Sequence, residues 1–178
     1  RGAGAVTGKA FRRLYIHVPF CTAKCDYCAF YSEAPFSNER GDAYLRALEA
    51  ELDAVAARSD ALRSVFIGGG TPTLLGPQRL YRLLDAVRRR FNLIRDAEWT
   101  CESTPSTLSR AIVSALADGG VNRVSVGVQT FSEPLRRALG RRDSAAGIAA
   151  ALTDCRASGI RRLNVDLIFG IPGQTLCD

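Results

Sequence analysis

The chain has 178 residues, 47% hydrophobic and 24% charged, which excludes a disordered tail, a collagen-like repeat and a coiled coil and predicts one globular unit. No apolar run approaches the ~18 residues that a spanning helix needs, and the N-terminal stretch has no apolar segment after its charges, so no membrane span or signal peptide is expected and the chain reads as soluble and cytoplasmic. The net charge of +6 comes mostly from arginine, scattered in ones and twos through apolar-periodic segments. The densest run, Arg88 to Arg90, closes a predicted helix where cations suit the dipole, so the basic balance reads as solvated helix faces, with no nucleic-acid partner expected. The chain starts at Arg1 and contains no methionine, from which we expect a piece of a longer protein.

In chain order, RRLYIHVPF (12–20) predicts a strand, and Tyr44, Leu45, Leu48, Leu52 and Val55 recur at helical spacing. SVFIGGG (64–70) reads as a strand entering a glycine turn, followed by a helix with Pro77 in its first turn and Leu80, Leu83, Leu84 and Val87 on one stripe. AEWTCES (97–103) is the third strand; Leu108, Ile112 and Leu116 mark a helix that Gly119 and Gly120 stop. NRVSVGVQTF (122–131) is the fourth. A short helix near Leu135, a second around Ile148 and Leu152 capped by Ser144 and ending near Gly159, and the strand RLNVDLIFG (162–170) complete the chain. Strands alternate with helices throughout, which predicts one α/β domain with a parallel sheet.

Successive strand residues point to opposite faces. Val124, Val126 and Val128 oppose Arg123, Ser125, Gly127 and Gln129; Leu163, Val165 and Leu167 oppose Asn164 and Asp166; Leu14, Ile16 and Val18 oppose Tyr15 and His17. In a barrel or curved sheet jacketed by helices, the apolar set packs against helices and the polar set lines the interior near the strands' C-terminal ends, where such folds bind ligands. Glu102, Gln129 and Asp166 are therefore candidate ligand contacts, with ordinary hydrogen-bonded strand ends as the alternative.

Six cysteines are too few for a disulfide scaffold in a chain of this length. Three of them, Cys21, Cys25 and Cys28, crowd the loop after the first strand as CTAKCDYC. Thiolates at this spacing suit soft metals, either zinc or iron–sulfur. A closed zinc site wants a fourth ligand, and His17, the one histidine of the sequence, reads as a core or supporting residue. Three ligands and an open position fit a [4Fe–4S] cluster whose fourth iron binds a substrate or cofactor. Cys101, Cys155 and Cys177 read as small buried hydrophobes. GGGTPT is not a P-loop, because Lys and Ser or Thr do not follow it, nor a dinucleotide fingerprint; its glycines can present amides to a polar ligand.

YIHVPFCTAKCDYCAF resembles the cluster loop of the radical SAM superfamily. FIGGGTPTLL, CESTPSTL, GVNRVSVGVQTF, LGRR and NVDLIFGIPGQT resemble, in order, the motifs of its oxygen-independent coproporphyrinogen III oxidase-like family, which has a HemW-like heme chaperone branch. The resemblance spans residues 13–176. It implies a partial (β/α)6 barrel, truncated here after the fifth strand, with residues 1–12 as an N-terminal extension and 13–178 as an incomplete core. A missing sixth strand implies an unpaired sheet edge and poor stability in isolation.

The resemblance further implies that Cys21, Cys25 and Cys28 hold a [4Fe–4S] cluster, that S-adenosylmethionine chelates the open iron, and that an electron from the cluster cleaves it to a 5′-deoxyadenosyl radical. By the same resemblance Tyr15, Tyr27, Gly69, Gly70, Thr71, Glu102, Gln129, Arg141 and Asp166 contact S-adenosylmethionine. Arg141 suits its carboxylate, while Arg142 reads as solvated. Phe30 stands where the oxidases carry a further cysteine and the chaperone branch has phenylalanine. This favours a chaperone that binds heme and passes it to an acceptor protein over a porphyrinogen-decarboxylating oxidase or another radical SAM enzyme. Heme or porphyrinogen and an electron donor are the implied partners. Asp143 stands where the family commonly has histidine, which leaves that position without an inherited role.

Overall fold

The computed structural model describes residues 10–178. Five strands, β1 (Phe11–Val18), β2 (Ser59–Gly69), β3 (Leu93–Ser103), β4 (Arg123–Gln129) and β5 (Arg162–Leu167), form one sheet in chain order, every neighbouring pair parallel. Parallel neighbours need crossovers, which α1 (Asn38–Ala56), α2 (Gly76–Arg90), α3 (Arg110–Asp118), and α4 (Glu133–Ala138) with α5 (Ala145–Ala157) supply. β1 and β5 are the two edges. Among the described residues no helix is long and apolar enough to cross a membrane.

The register explains the packing. Ile16, Ile67, Cys101, Val124 and Leu163 stand in one lateral row, and all but the half-buried Leu163 are buried under the helices. Leu45, Leu48 and Leu52 of α1, Leu80, Leu83, Leu84 and Val87 of α2, Ile112 and Leu116 of α3 and Ile148 of α5 cover that face in one continuous core. Helical spacing of these residues gives each helix an apolar stripe, which the sheet then buries. Ser37, Ser109 and Ser144 accept from the first-turn amides of α1, α3 and α5.

Several expectations change. β2 and β3 begin at Ser59 and Leu93, earlier than the periodicity suggests, and in each a register irregularity separates this early part from the run that the periodicity picks out. β1 begins at Phe11, inside the expected N-terminal extension. Leu108 caps a 3-10 turn, Pro105–Thr107, and α3 starts beyond it. In β4 the polar-parity residues Ser125 and Gly127 are buried along with the valines: β4 lies inside the sheet between β3 and β5, whose Ser103, Asn164 and Asp166 side chains close over Ser125. Leu167, assigned to the buried apolar set, is 59% exposed, since among the described residues no helix follows β5 to cover it.

The arginines of α2 do more than solvate a face. Arg79, Arg82 and Arg90 form two-pronged pairs with Asp42, Glu49 and Asp53 of α1, at 2.6 to 3.1 Å. These guanidinium contacts hold all three carboxyl groups below their ordinary pKa. Arg88 donates to the Asp118 carbonyl at the end of α3, a cation meeting a helix C-terminus.

Candidate cofactor site

The C-terminal ends of β1 to β5 carry the polar set that alternation places opposite the helices. The cysteine loop leaves β1 and is tied down at both ends by Cys21 N–H to Glu33 O (3.0 Å) and Glu33 N–H to Pro19 O (2.6 Å), with Cys28 N–H turning back to Cys25 O (3.0 Å). All three thiols are free and half-buried. Among the described residues no group of three or more His, Cys, Asp or Glu side chains stands ready to hold a metal ion. Three thiols on one short loop are by their chemistry a donor set that an iron–sulfur cluster uses, although their side chains are not gathered about one point here.

His17 fastens this loop to the sheet. Its Nε2 lies 3.0 Å from the Tyr31 carbonyl, which can only accept, so Nε2 carries a hydrogen, and Nδ1 pairs with the Tyr15 hydroxyl at 3.0 Å. The histidine is a support, as its place in the sequence suggested. Burial, with the nearby Glu102 charge, raises the Tyr15 pKa.

The glycine turn packs against the base of the same loop. Gly70 N–H donates to Val18 O (2.8 Å) and Thr71 N–H to Phe20 O (2.7 Å). A Cβ at Gly70 would lie 2.5 Å from that Phe20 oxygen, and one at Gly69 2.6 Å from the His17 ring, so only glycine permits this approach. Thr71 Oγ1 stands 4.0 Å from Cys21 Sγ. Gly69 N–H donates to Glu102 Oε2 at 2.9 Å. Burial raises the Glu102 pKa; Asp166 adds to the rise, while the Gly69 amide and His17 oppose it.

Across β4 and β5, Ser125 donates to the Asp166 carboxylate (3.0 Å) and Asn164 Nδ2 donates to both (2.9 and 2.6 Å). Gln129 has φ +71° at a register irregularity, an uncommon backbone for a non-glycine residue. Its amide reaches back over Gly127, which keeps it on the polar face. Arg141 projects from the turn after α4. Tyr27 stands beside Cys25 and Arg141; burial first, then Cys25, raises its pKa, and Arg141 pulls it back.

A cleft of about 510 Å³ opens between the cysteine loop, the turns at 71–74 and 104–107 and the segment 140–143, lined by Cys21, Cys25, Thr71, Thr107, Arg141 and Asp143 among others; Tyr15, Tyr27, Glu102, Gln129 and Asp166 are not among its lining residues. Sequence reasoning named Cys21, Cys25, Thr71 and Arg141; it passed over Thr107, whose turn showed no chemistry, and assigned no role to Asp143. Cys101 and Cys155 are buried, as expected, and burial raises both thiol pKa values, that of Cys155 to about 11. Cys177 is exposed, contrary to expectation, in a terminal turn with no core around it.

Residues 15–178 match the Radical SAM superfamily. The chain belongs to the radical SAM superfamily. Membership implies a [4Fe–4S] cluster and S-adenosylmethionine as its cofactors. Among curated relatives, the heme chaperone HemW of Mycobacterium tuberculosis (strain CDC 1551 / Oshkosh) is 40% identical over 178 residues, 98% of this chain and 45% of that protein. An oxygen-independent coproporphyrinogen III oxidase of Bradyrhizobium diazoefficiens is 38% identical over 166 residues, 92% of this chain and 37% of that protein. The solved coproporphyrinogen III oxidase HemN of Escherichia coli, a radical SAM enzyme, superposes with a TM-score of 0.87 at 32% identity, over 96% of this chain and 40% of that one. The chain therefore spans less than half the length of these relatives, and its alternating parallel fold is that of the HemN radical SAM barrel.

Proposed function

We propose that this chain is the cofactor-binding part of a HemW-like heme chaperone, a cytoplasmic protein that binds heme and passes it to an acceptor. The observation that carries the cofactor reading is the meeting of the cysteine loop, the glycine turn and the polar strand ends at one mouth of the sheet, beside a 510 Å³ cleft. Cys21, Cys25 and Cys28 hold the cluster. Gly69 and Gly70, whose own amides are spent on Glu102 and Val18, let the backbone come close to S-adenosylmethionine, and Thr71 offers its hydroxyl; Glu102, Gln129 and Asp166 accept from or donate to its polar groups, Arg141 meets its carboxylate, and Tyr15 and Tyr27 flank it. When bound and reduced by an electron donor, the cluster supplies one electron to the sulfonium. The chain's own part is to orient both groups and to exclude water and oxygen.

Phe30, 69% exposed beyond the third cysteine, supports the chaperone branch. A non-ligating aromatic there offers an apolar contact to a flat macrocycle. The likeness to coproporphyrinogen oxidases keeps a second reading, oxidative decarboxylation of porphyrinogen propionates.

Anaerobic reconstitution with iron and sulfide tests the cofactor half. Brown protein with a cluster EPR signal on reduction is expected, lost in Cys25→Ala and kept in Cys155→Ala; equal iron in both variants, or stoichiometric zinc in a colourless protein, refutes the ligand assignment. The reduced protein with S-adenosylmethionine is then offered coproporphyrinogen III and, separately, heme. Heme retention without vinyl product supports the chaperone, and vinyl product overturns it.

A further inference from the structure

Asp143 is the residue for which the sequence offered no role, and the structure gives it one. The segment leaving α4 is closed in a specific way: Gly140, at φ +73°, donates to Arg137 O (3.0 Å) and Arg141 N–H to Arg136 O (2.9 Å), the paired bonds of a Schellman ending that needs a left-handed residue at the glycine. Arg136, 1% exposed, staples the same turn from beneath. Its Nε donates to the Asp143 carbonyl (3.0 Å), and its Nη1 to the carbonyls of Thr130 (3.2 Å) and Phe131 (2.6 Å).

With the backbone fixed, the side chains of Arg141 and Asp143, 9% and 7% exposed, meet. Asp143 Oδ2 accepts from Arg141 Nε (3.1 Å) and lies 3.0 Å from Nη2, while Nη2 also donates to Gly127 O (2.6 Å). Asp143 Oδ1 accepts from Ser106 N–H (3.0 Å), in the turn after β3. One carboxylate thus spans from the 3-10 turn to the guanidinium. Arg141 lines the cleft; these contacts engage Nε and Nη2 and do not use Nη1, and Tyr27 is a further neighbour of the guanidinium.

We propose that Asp143 is a positioning residue for Arg141: it holds one edge of the guanidinium so that the other edge meets a carboxylate bound in the cleft. This rests on the cofactor reading above, in which that carboxylate belongs to S-adenosylmethionine. Pairing two nearly buried charges also avoids leaving a guanidinium uncompensated. A flexible arginine would have to be ordered at binding, at a cost in affinity; Asp143 orders it beforehand.

Two measurements test this. In the cluster-free protein, the Arg141 Nε–H NMR resonance is expected to exchange slowly in the parent and rapidly in Asp143→Ala, which removes both acceptor oxygens. An unchanged resonance overturns the proposal. In the cluster-loaded protein, dialysis against S-adenosylmethionine reads a cycle of Asp143→Ala, Arg141→Ala and the double variant. Asp143→Ala is expected to weaken binding about tenfold beside Arg141 but less than about twofold once Arg141 is alanine, the mark of coupled residues. A merely structural role gives equal losses in both backgrounds and overturns the proposal. A loaded parent that binds no S-adenosylmethionine overturns the cofactor reading itself, whereas tight parent binding with additive losses overturns only the role of Asp143.

Discussion

Gly70→Ala places one methyl group where the glycine turn supports the cysteine loop. The new Cβ would sit 2.5 Å from Phe20 O and 2.9 Å from the Phe20 carbonyl carbon and nitrogen. These are backbone atoms, so no rotamer change relieves the clash, and the Phe20 peptide must move. That motion breaks or lengthens Thr71 N–H to Phe20 O (2.7 Å), and Gly70 N–H to Val18 O (2.8 Å) lies in the same turn. Overpacking of this kind costs about 1–3 kcal/mol and a weakened backbone bond about 1 kcal/mol, so we expect a loss of about 2–4 kcal/mol. Urea denaturation reads the loss, and hydrogen exchange at the Thr71 amide reads its cause. Gly173→Ala is the control: open space surrounds it and only its φ of +84° is unfavourable, a cost of about 1–2 kcal/mol. If Gly70→Ala costs no more than Gly173→Ala and the Thr71 amide stays protected, the close-approach argument fails.

The raised Glu102 pKa means that the folded chain holds this proton across a pH window in which the unfolded chain has lost it. Ionised Glu102 therefore costs stability above its folded value, and that cost vanishes below its unfolded one. Glu102→Gln, which keeps an oxygen for the Gly69 amide, should gain on the parent as pH rises through the ordinary carboxylate range and above it in urea titrations; a difference independent of pH would count against the burial of this carboxyl. Asn122→Ala should cost about 2–4 kcal/mol in the same assay, because Asn122 Oδ1 accepts from Trp99 N–H (3.0 Å) and its Nδ2 donates to Ala97 O (2.8 Å); a cost below about 0.5 kcal/mol contradicts that bridging role. Iodoacetamide should modify exposed Cys177 quickly and reach buried Cys101 and Cys155 only on unfolding, and mass spectrometry showing early Cys155 labelling would contradict its burial.

The alternation of strand and helix, the parallel sheet and the identity of the cysteine loop are legible in the residues themselves, because period-two and helical patterns and the clustered thiols are local signals. Alternation also put Glu102, Ser125, Asn164 and Asp166 on one face, and the structure keeps the last three in one hydrogen-bonded set. Burial was less legible. Ser125 and Gly127 are buried on β4, an inner strand flanked by β3 and β5, while Leu167 and Cys177 are exposed; each outcome depends on what packs around the residue, which its own pattern does not contain.

The α2 arginines looked like a solvated face until three acidic residues of α1 stood opposite them. Asp143 shows the same limit most sharply. As a departure from a motif it suggested only a lost role. Ser106, Gly127 and Arg141 are far from it or ordinary beside it in sequence, and only the turn after α4, closed by Gly140 and stapled by Arg136, brings them within 3.1 Å of one another's polar atoms. Sequence alone determined the element order and the crowding of three thiols on one loop, since both are written in neighbouring residues. The tertiary structure decided which charges meet, because an ion pair depends on distances across the fold that no local spacing encodes.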